Sequence, residues 1–210
     1  MKAKKIEKVD IKNVVVCGIG AAGSNTFLHL LYAYPSLNYT LVDFDKVEIR
    51  NIEPGTQPYS SIDINRPKTQ AMQRIAATLK KKKVEVFNGR INAKKDLENL
   101  VKDPKSTLII DAFDNAESRN VFLELKGYNI LHIGFSASLS GEAVWNEIFE
   151  PMVASKTDAG IDVCEMTIAR PFIFALTSLA TISISKFIDT GEKQNLYFDK
   201  YLTIRIMETN

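Results

Sequence analysis

A chain of 210 residues with 45% hydrophobic side chains can bury the core of one domain, because the share of surface removed from water rises with chain length. Its 27 basic and 25 acidic residues leave a net charge of +2, which excludes a nucleic acid or a membrane held by a molecule-wide field, and no partner of either class is expected. Two cysteines, Cys17 and Cys164, exclude a disulfide framework and a CxxC zinc pair, and the charged start MKAKKIEKVD carries no apolar signal core, so the expected location is the cytoplasm.

In chain order, NVVVCGIG is a continuous β-branched run ending in glycine, the pattern of a strand buried on both faces of a parallel sheet. SNTFLHLLYAY then has helical spacing and stops at Pro35. YTLVDFD predicts a second strand, NRPKTQAMQRIAATLKKKK a helix with Pro67 near its first turn, VEVFNG a third strand and KDLENLVK a short helix. STLIIDAFD, NAESRNVFLELKGY and NILHIGFSAS follow as strand, helix and strand. This alternation predicts right-handed βαβ crossovers in a doubly wound, mostly parallel α/β sheet of Rossmann-like type. Beyond residue 135 the rhythm changes: SGEAVWNEIFE alternates like an antiparallel strand and residues 150 to 165 read as a loop. A long helix, RPFIFALTSLATISISKFIDTGE, ends at Gly191, and QNLYFDKYLTIRIME closes as a strand or hairpin. The expected organisation is one domain over 1–210, with a nucleotide-binding core at 10–135 and C-terminal antiparallel strands, loop and helix at 136–210. The longest apolar stretch, PFIFALTSLATISISKF, is interrupted by serine and threonine and is short for a bilayer.

GIGAAG places Gly18, Gly20 and Gly23 directly after the first strand and at the opening of the first helix. Glycines there let backbone approach a phosphate, and the helix N-terminus supplies N–H donors and a partial positive charge. Asp43, at the end of the second strand, stands where a carboxylate accepts ribose hydroxyls; a nicotinamide enzyme and an ATP enzyme both want it there. Asp43, Asp45, Val47 and Asn51 form D-x-D-x-V-x-x-x-N, followed by Gln57, by DINRPK with Lys68, and by DAFDNAESR with Asp111, Asp114, Asn115 and Arg119.

Together these motifs resemble the MoeB/ThiF-type adenylyltransferases of the ubiquitin-activating superfamily, over about residues 10 to 150. The resemblance implies ATP and Mg2+ as cofactors, and activation of the C-terminal carboxylate of a ubiquitin-like or sulfur-carrier protein with a glycine-rich tail, or of a peptide. It implies Asp114 as the metal ligand, Lys68 as a charge on the phosphates, Asn51 and Gln57 as neutral groups on phosphate or ribose, and a homodimer. The absence of CxxC pairs fits a zinc-free member. The run from Asn51 to Gln57 is two residues longer than the family's N-x-x-R-Q and puts Thr56 where that motif has its phosphate-binding arginine, with Arg50 and Arg66 as substitutes. A second reading is therefore a non-catalytic subunit that binds nucleotide or a partner protein in a heterodimer; a third, a nicotinamide-dependent oxidoreductase, is disfavoured by Lys68 and DAFDN.

Cys164 precedes the long helix, in the region where some relatives carry a thiol that takes the activated carboxylate; a helix start favours thiolate, while Asp162 and Glu165 oppose it. Lys80 to Lys83 read as a solvated helix end, His29 and His132 as core or edge histidines, Cys17 as core, and Trp145 as packing.

Overall fold

Strand β1 (Asn13–Cys17) is buried along nearly its whole length because both of its faces are covered. Val14 and Val16 point into one core with Phe27, Leu30, Met72 and Leu176, whereas Val15 and Cys17 point into a second with Leu97, Phe122 and Ile130. The period-2 geometry of a strand makes this division, and a layer of helices on each side completes it. The computed structural model describes residues 8–151, 163–201 and 203–208.

After β1 come α1 (Ala21–Ala33), β2 (Asn38–Asp43), α2 (Lys68–Lys80), β3 (Glu85–Asn88), α3 (Lys94–Leu100), β4 (Thr107–Asp111), α4 (Ala116–Leu123) and β5 (Asn129–Phe135). They are followed by β6 (Ser140–Trp145), α5 (Ala169–Thr190), β7 (Gln194–Asp199) and β8 (Ile204–Glu208). The eight strands form one sheet in the order β3-β2-β1-β4-β5-β6-β7-β8. Pairing is parallel from β3 through β5 and antiparallel from β5 through β8, the Rossmann-like core and antiparallel extension expected from the pattern. The closing segment is a hairpin rather than a single strand. Most of the loop expected at 150 to 165 lies outside the described residues.

Helix α5 is long and apolar enough to cross a membrane by length and composition alone. It serves as a core helix: Phe172, Ile173, Leu176, Ala180, Ile184 and Phe187 are buried, and Gly191 ends it in a left-handed conformation at φ 73°. Helix α2 is shorter than its lysine-rich tail predicts. Lys81 adopts the left-handed conformation at φ 52° and its N–H returns to the Ala77 carbonyl, so Lys81 to Lys83 lie beyond the helix.

Strands β2 and β4 flank β1, and their onward connections run in opposite directions along the sheet. The crevice at the C-terminal ends of β1, β2 and β4 is therefore the switch point of the sheet, where open α/β folds take ligands.

Candidate active site

The turn from β1 into α1 requires its glycines for different reasons. Gly18 has φ +87°, and a Cβ there would sit 2.7 Å from the Ala112 carbonyl oxygen. A Cβ at Gly23 would overlap the Gly18 carbonyl oxygen. Gly20, the N-cap of α1, faces open space, with nothing within 4 Å of the position its Cβ would take. No side chain caps α1 and its first turn holds no acid, so its N-terminal N–H groups and partial positive charge face the crevice without a competing side-chain cap.

Asp43 ties this turn to β2. One carboxylate oxygen accepts from the Ile19 N–H at 2.6 Å and the other from the Asp45 N–H at 2.8 Å. Burial pushes the Asp43 carboxyl up, against the opposing pull of Lys68 and of the Asp45 and Ile19 N–H bonds. Asp45 in turn accepts from Lys68 Nζ at 3.0 Å, and the Lys68 N–H donates to the Asp45 carbonyl at 2.9 Å. Lys68 is thus only 8% exposed, unlike an ordinary surface lysine at a helix start. Gly18 to Gly23, Asp43, Asp45 and Lys68 form one bonded chain along the crevice.

The residues after β4 complete the rim. Asp111 is fully buried: it accepts from the Phe113 N–H at 3.1 Å and from Arg119 Nε at 3.1 Å, and lies 2.7 Å from His132 Nδ1. Asp111 therefore holds the turn that follows it. The N-cap of α4 is Asn115, whose Oδ1 accepts from the Ser118 N–H, so Asp114 is not used as a cap and stands exposed beside the Ala112 segment that Gly18 touches. His132 is a satisfied core histidine, bonded also to Asn146 and stacked on Phe149.

The 48–67 loop carries the other expected residues. Asn51 accepts from the Glu48 N–H through Oδ1 and so braces its own turn. Gln57 Oε1 is buried with no hydrogen-bond partner, as is Thr56 Oγ1. The loop is fastened to α1 by residues that strand and helix patterns do not single out: Asn25 Nδ2 donates to the Thr56 carbonyl at 2.7 Å, and Tyr59 donates to the Ile19 carbonyl at 2.7 Å. A polar residue beside an apolar run, as at Asn25, is the signal that could have found one of them; Tyr59, in QPYSSID, carries none. Of the two expected substitute cations, Arg50 pairs with Glu48 at 2.6 Å, and exposed Arg66 lines a groove of about 610 Å³ with Gln70, Arg74 and Lys81 to Lys83. Cys164 is half-buried in a 3-10 turn (Val163–Glu165) before α5 and packed on the main core.

The ThiF family model matches residues 1–210, the whole chain. The chain belongs to the ThiF family. Its fold is shared with E. coli MccB in complex with AMPCPP and MccA, at a TM-score of 0.70 and 15% identity over 95% of this chain and 64% of that one. PaaA superposes with a TM-score of 0.69 at 21% identity, again over 95% of this chain and 64% of that one. MccB has also been solved with ATP, and is described as a microcin C7 biosynthetic enzyme. This ThiF-family chain therefore spans about two thirds of the length of these structural neighbours. No curated protein matches it in sequence.

Proposed function

We propose that this ThiF-family protein is an ATP-dependent adenylyltransferase that activates the C-terminal carboxylate of a peptide or of a ubiquitin-like carrier protein. The observation that carries this reading is the open glycine cradle at Gly20, uncapped and in a bonded chain with Asp43, Asp45 and Lys68 at the switch point of the sheet. The phosphates lie against the α1 N-terminus, Asp43 accepts from the ribose, and Lys68, already fixed by Asp45, puts a charge on the phosphates. A substrate carboxylate oxygen forms a bond to the α-phosphorus of ATP as the bond to pyrophosphate breaks, giving an acyl adenylate; the protein's task is positioning and charge stabilisation.

The site suits magnesium. Among the described residues no group of three or more His, Cys, Asp or Glu side chains gathers to hold a metal, so magnesium in this reading would be carried by the phosphates and one carboxylate. Asp114, exposed and unused as a helix cap, is that carboxylate; bound there, magnesium supplies neutralisation of phosphate charge. Asn51 and Gln57 lie on the loop that closes over α1, and Cys164 is the candidate thiol acceptor after adenylation. Cytoplasmic location and a homodimer belong to the same reading. The non-catalytic heterodimer subunit is the second reading, favoured by buried Thr56 in place of an arginine.

Thermal unfolding tests the proposal. ATP with magnesium should raise the melting temperature, ATP with a chelator should raise it less, and Asp114→Ala should remove the metal-dependent part, because a ligand that binds only the native state adds RT ln(1 + [L]/Kd). Stabilisation by NADH with none from ATP would overturn it.

A further inference from the structure

We propose that Arg170, in the first turn of α5, binds the terminal phosphates of the nucleotide; the assignment rests on the adenylyltransferase reading above. Arg170 Nε donates to the Gly55 carbonyl at 3.0 Å, across 115 positions of sequence. Gly55 has φ +66°, and the arginine's Cδ and Nε lie 3.6 Å from the position a Cβ would take there. The guanidinium also rests over the Phe174 ring at 5.0 Å. The Gly55 bond sets this planar cation against the 48–67 loop and Phe174, on α5 itself, supports its face, which lowers the entropy lost when its remaining donors meet an anion.

No carboxylate accounts for this placement. Among the described residues Arg170 forms no ion pair, and the first turn of α5 contains no acid. A cation at a helix N-terminus is disfavoured by the partial positive charge of the backbone dipoles. A cation set against local preference with no carboxylate beside it can take its counter-charge from a ligand. The loop it grips supplies an independent sign: Thr56 is 1% exposed, and its Oγ1, like Gln57 Oε1, has no hydrogen-bond partner. Buried polar atoms in native proteins are otherwise paired.

Position selects the terminal phosphates. Asp43 marks the ribose end at the tip of β2, whereas the Gly55–Thr56 segment is fastened to Asn25, on the second turn of α1. Arg170 is then the cation that the run Asn51 to Gln57 lacks, brought by a different element.

Calorimetric titration of the full chain with ATP and with AMP tests the assignment. Arg170→Ala should weaken ATP binding about tenfold or more, the size expected for a charge-assisted hydrogen bond, and leave AMP binding unchanged. Arg170→Gln keeps a donor for the Gly55 carbonyl but no charge, and should show the same selective loss. Arg170→Lys should recover part of it. Equal losses for ATP and AMP would mean that Arg170 only holds the loop, and unchanged ATP affinity would mean that it touches no phosphate; either overturns the assignment. Wild-type protein that binds neither nucleotide overturns the adenylyltransferase reading and this assignment with it.

Discussion

Gly20 and Gly23 share one short turn, yet the same substitution should affect them in opposite ways. A methyl group at Gly23 overlaps the Gly18 carbonyl, with backbone on both sides of the clash and no flexible side chain to yield. Gly23→Ala should therefore cost about 2 kcal/mol or more in chemical denaturation and abolish nucleotide binding as well. A methyl group at Gly20 meets nothing in the unliganded crevice, so Gly20→Ala should stay within about 1 kcal/mol of wild type. It should nonetheless weaken ATP binding by an order of magnitude, because it fills the space through which backbone approaches phosphate. Unaltered ATP affinity in Gly20→Ala would remove the cradle from the site. The glycine spacing was legible in the sequence; which glycine meets protein and which meets ligand depends on how the turn folds back on Gly18 and on Ala112, just past the end of β4.

Between β2 and α2 the end of a long loop is tied to α2 by a carboxylate. Asp63, fully buried, accepts from Arg74 Nε at 3.0 Å and Nη2 at 2.8 Å, and from both the N–H and the hydroxyl of Ser60 at 3.0 Å. Burial acts to raise its pKa, but the Arg74 and Ser60 hydrogen bonds outweigh it and hold the carboxyl below the usual carboxylate range. A depressed folded-state value contributes stability above the unfolded value of about 3.9 and loses it as pH falls through the folded one. Asp63→Asn should thus cost about 2 kcal/mol at neutral pH, and the deficit should shrink as pH falls from about 4, where the unfolded chain takes up the proton, through the lower folded-state value. A deficit independent of pH, measured by urea unfolding between pH 7 and 3, would show that shape rather than charge is what Asp63 supplies. Element order was readable from periodicity, whereas this clamp was not: DINRPK signals a turn before a helix, but the pairing of Asp63 with Arg74 requires both to be folded.

Over the whole molecule, apolar surface is left on the antiparallel side. β8 is an edge strand among the described residues, with Ile204 46% and Ile206 55% exposed on one face, and Ile182 on α5 is 65% exposed. An edge strand with exposed apolar side chains invites pairing with another chain. In the homodimeric reading, light scattering should give twice the 23.5 kDa of the chain, and Ile204→Glu with Ile206→Glu should give the single-chain mass. A wild-type monomer at micromolar concentration would count against the homodimer and favour a heterologous partner.

The sequence by itself determined the strand and helix order, the parallel-to-antiparallel change after β5, and the glycine turn, because each depends on local periodicity or local backbone freedom. It also brought Asp43 forward through its place at the end of the second strand, and Lys68 through the company of motifs that carry the family resemblance. Tertiary structure decided what each side chain faces. Asp111 became a buried anchor for Arg119 and His132, Asn115 took the cap and left Asp114 exposed, and Arg170 reached Gly55 from a distant helix. Those outcomes depend on contacts between elements far apart in the chain, and hydrogen bonds and charge pairs of that kind are specified only when the sheet has brought its C-terminal edges together.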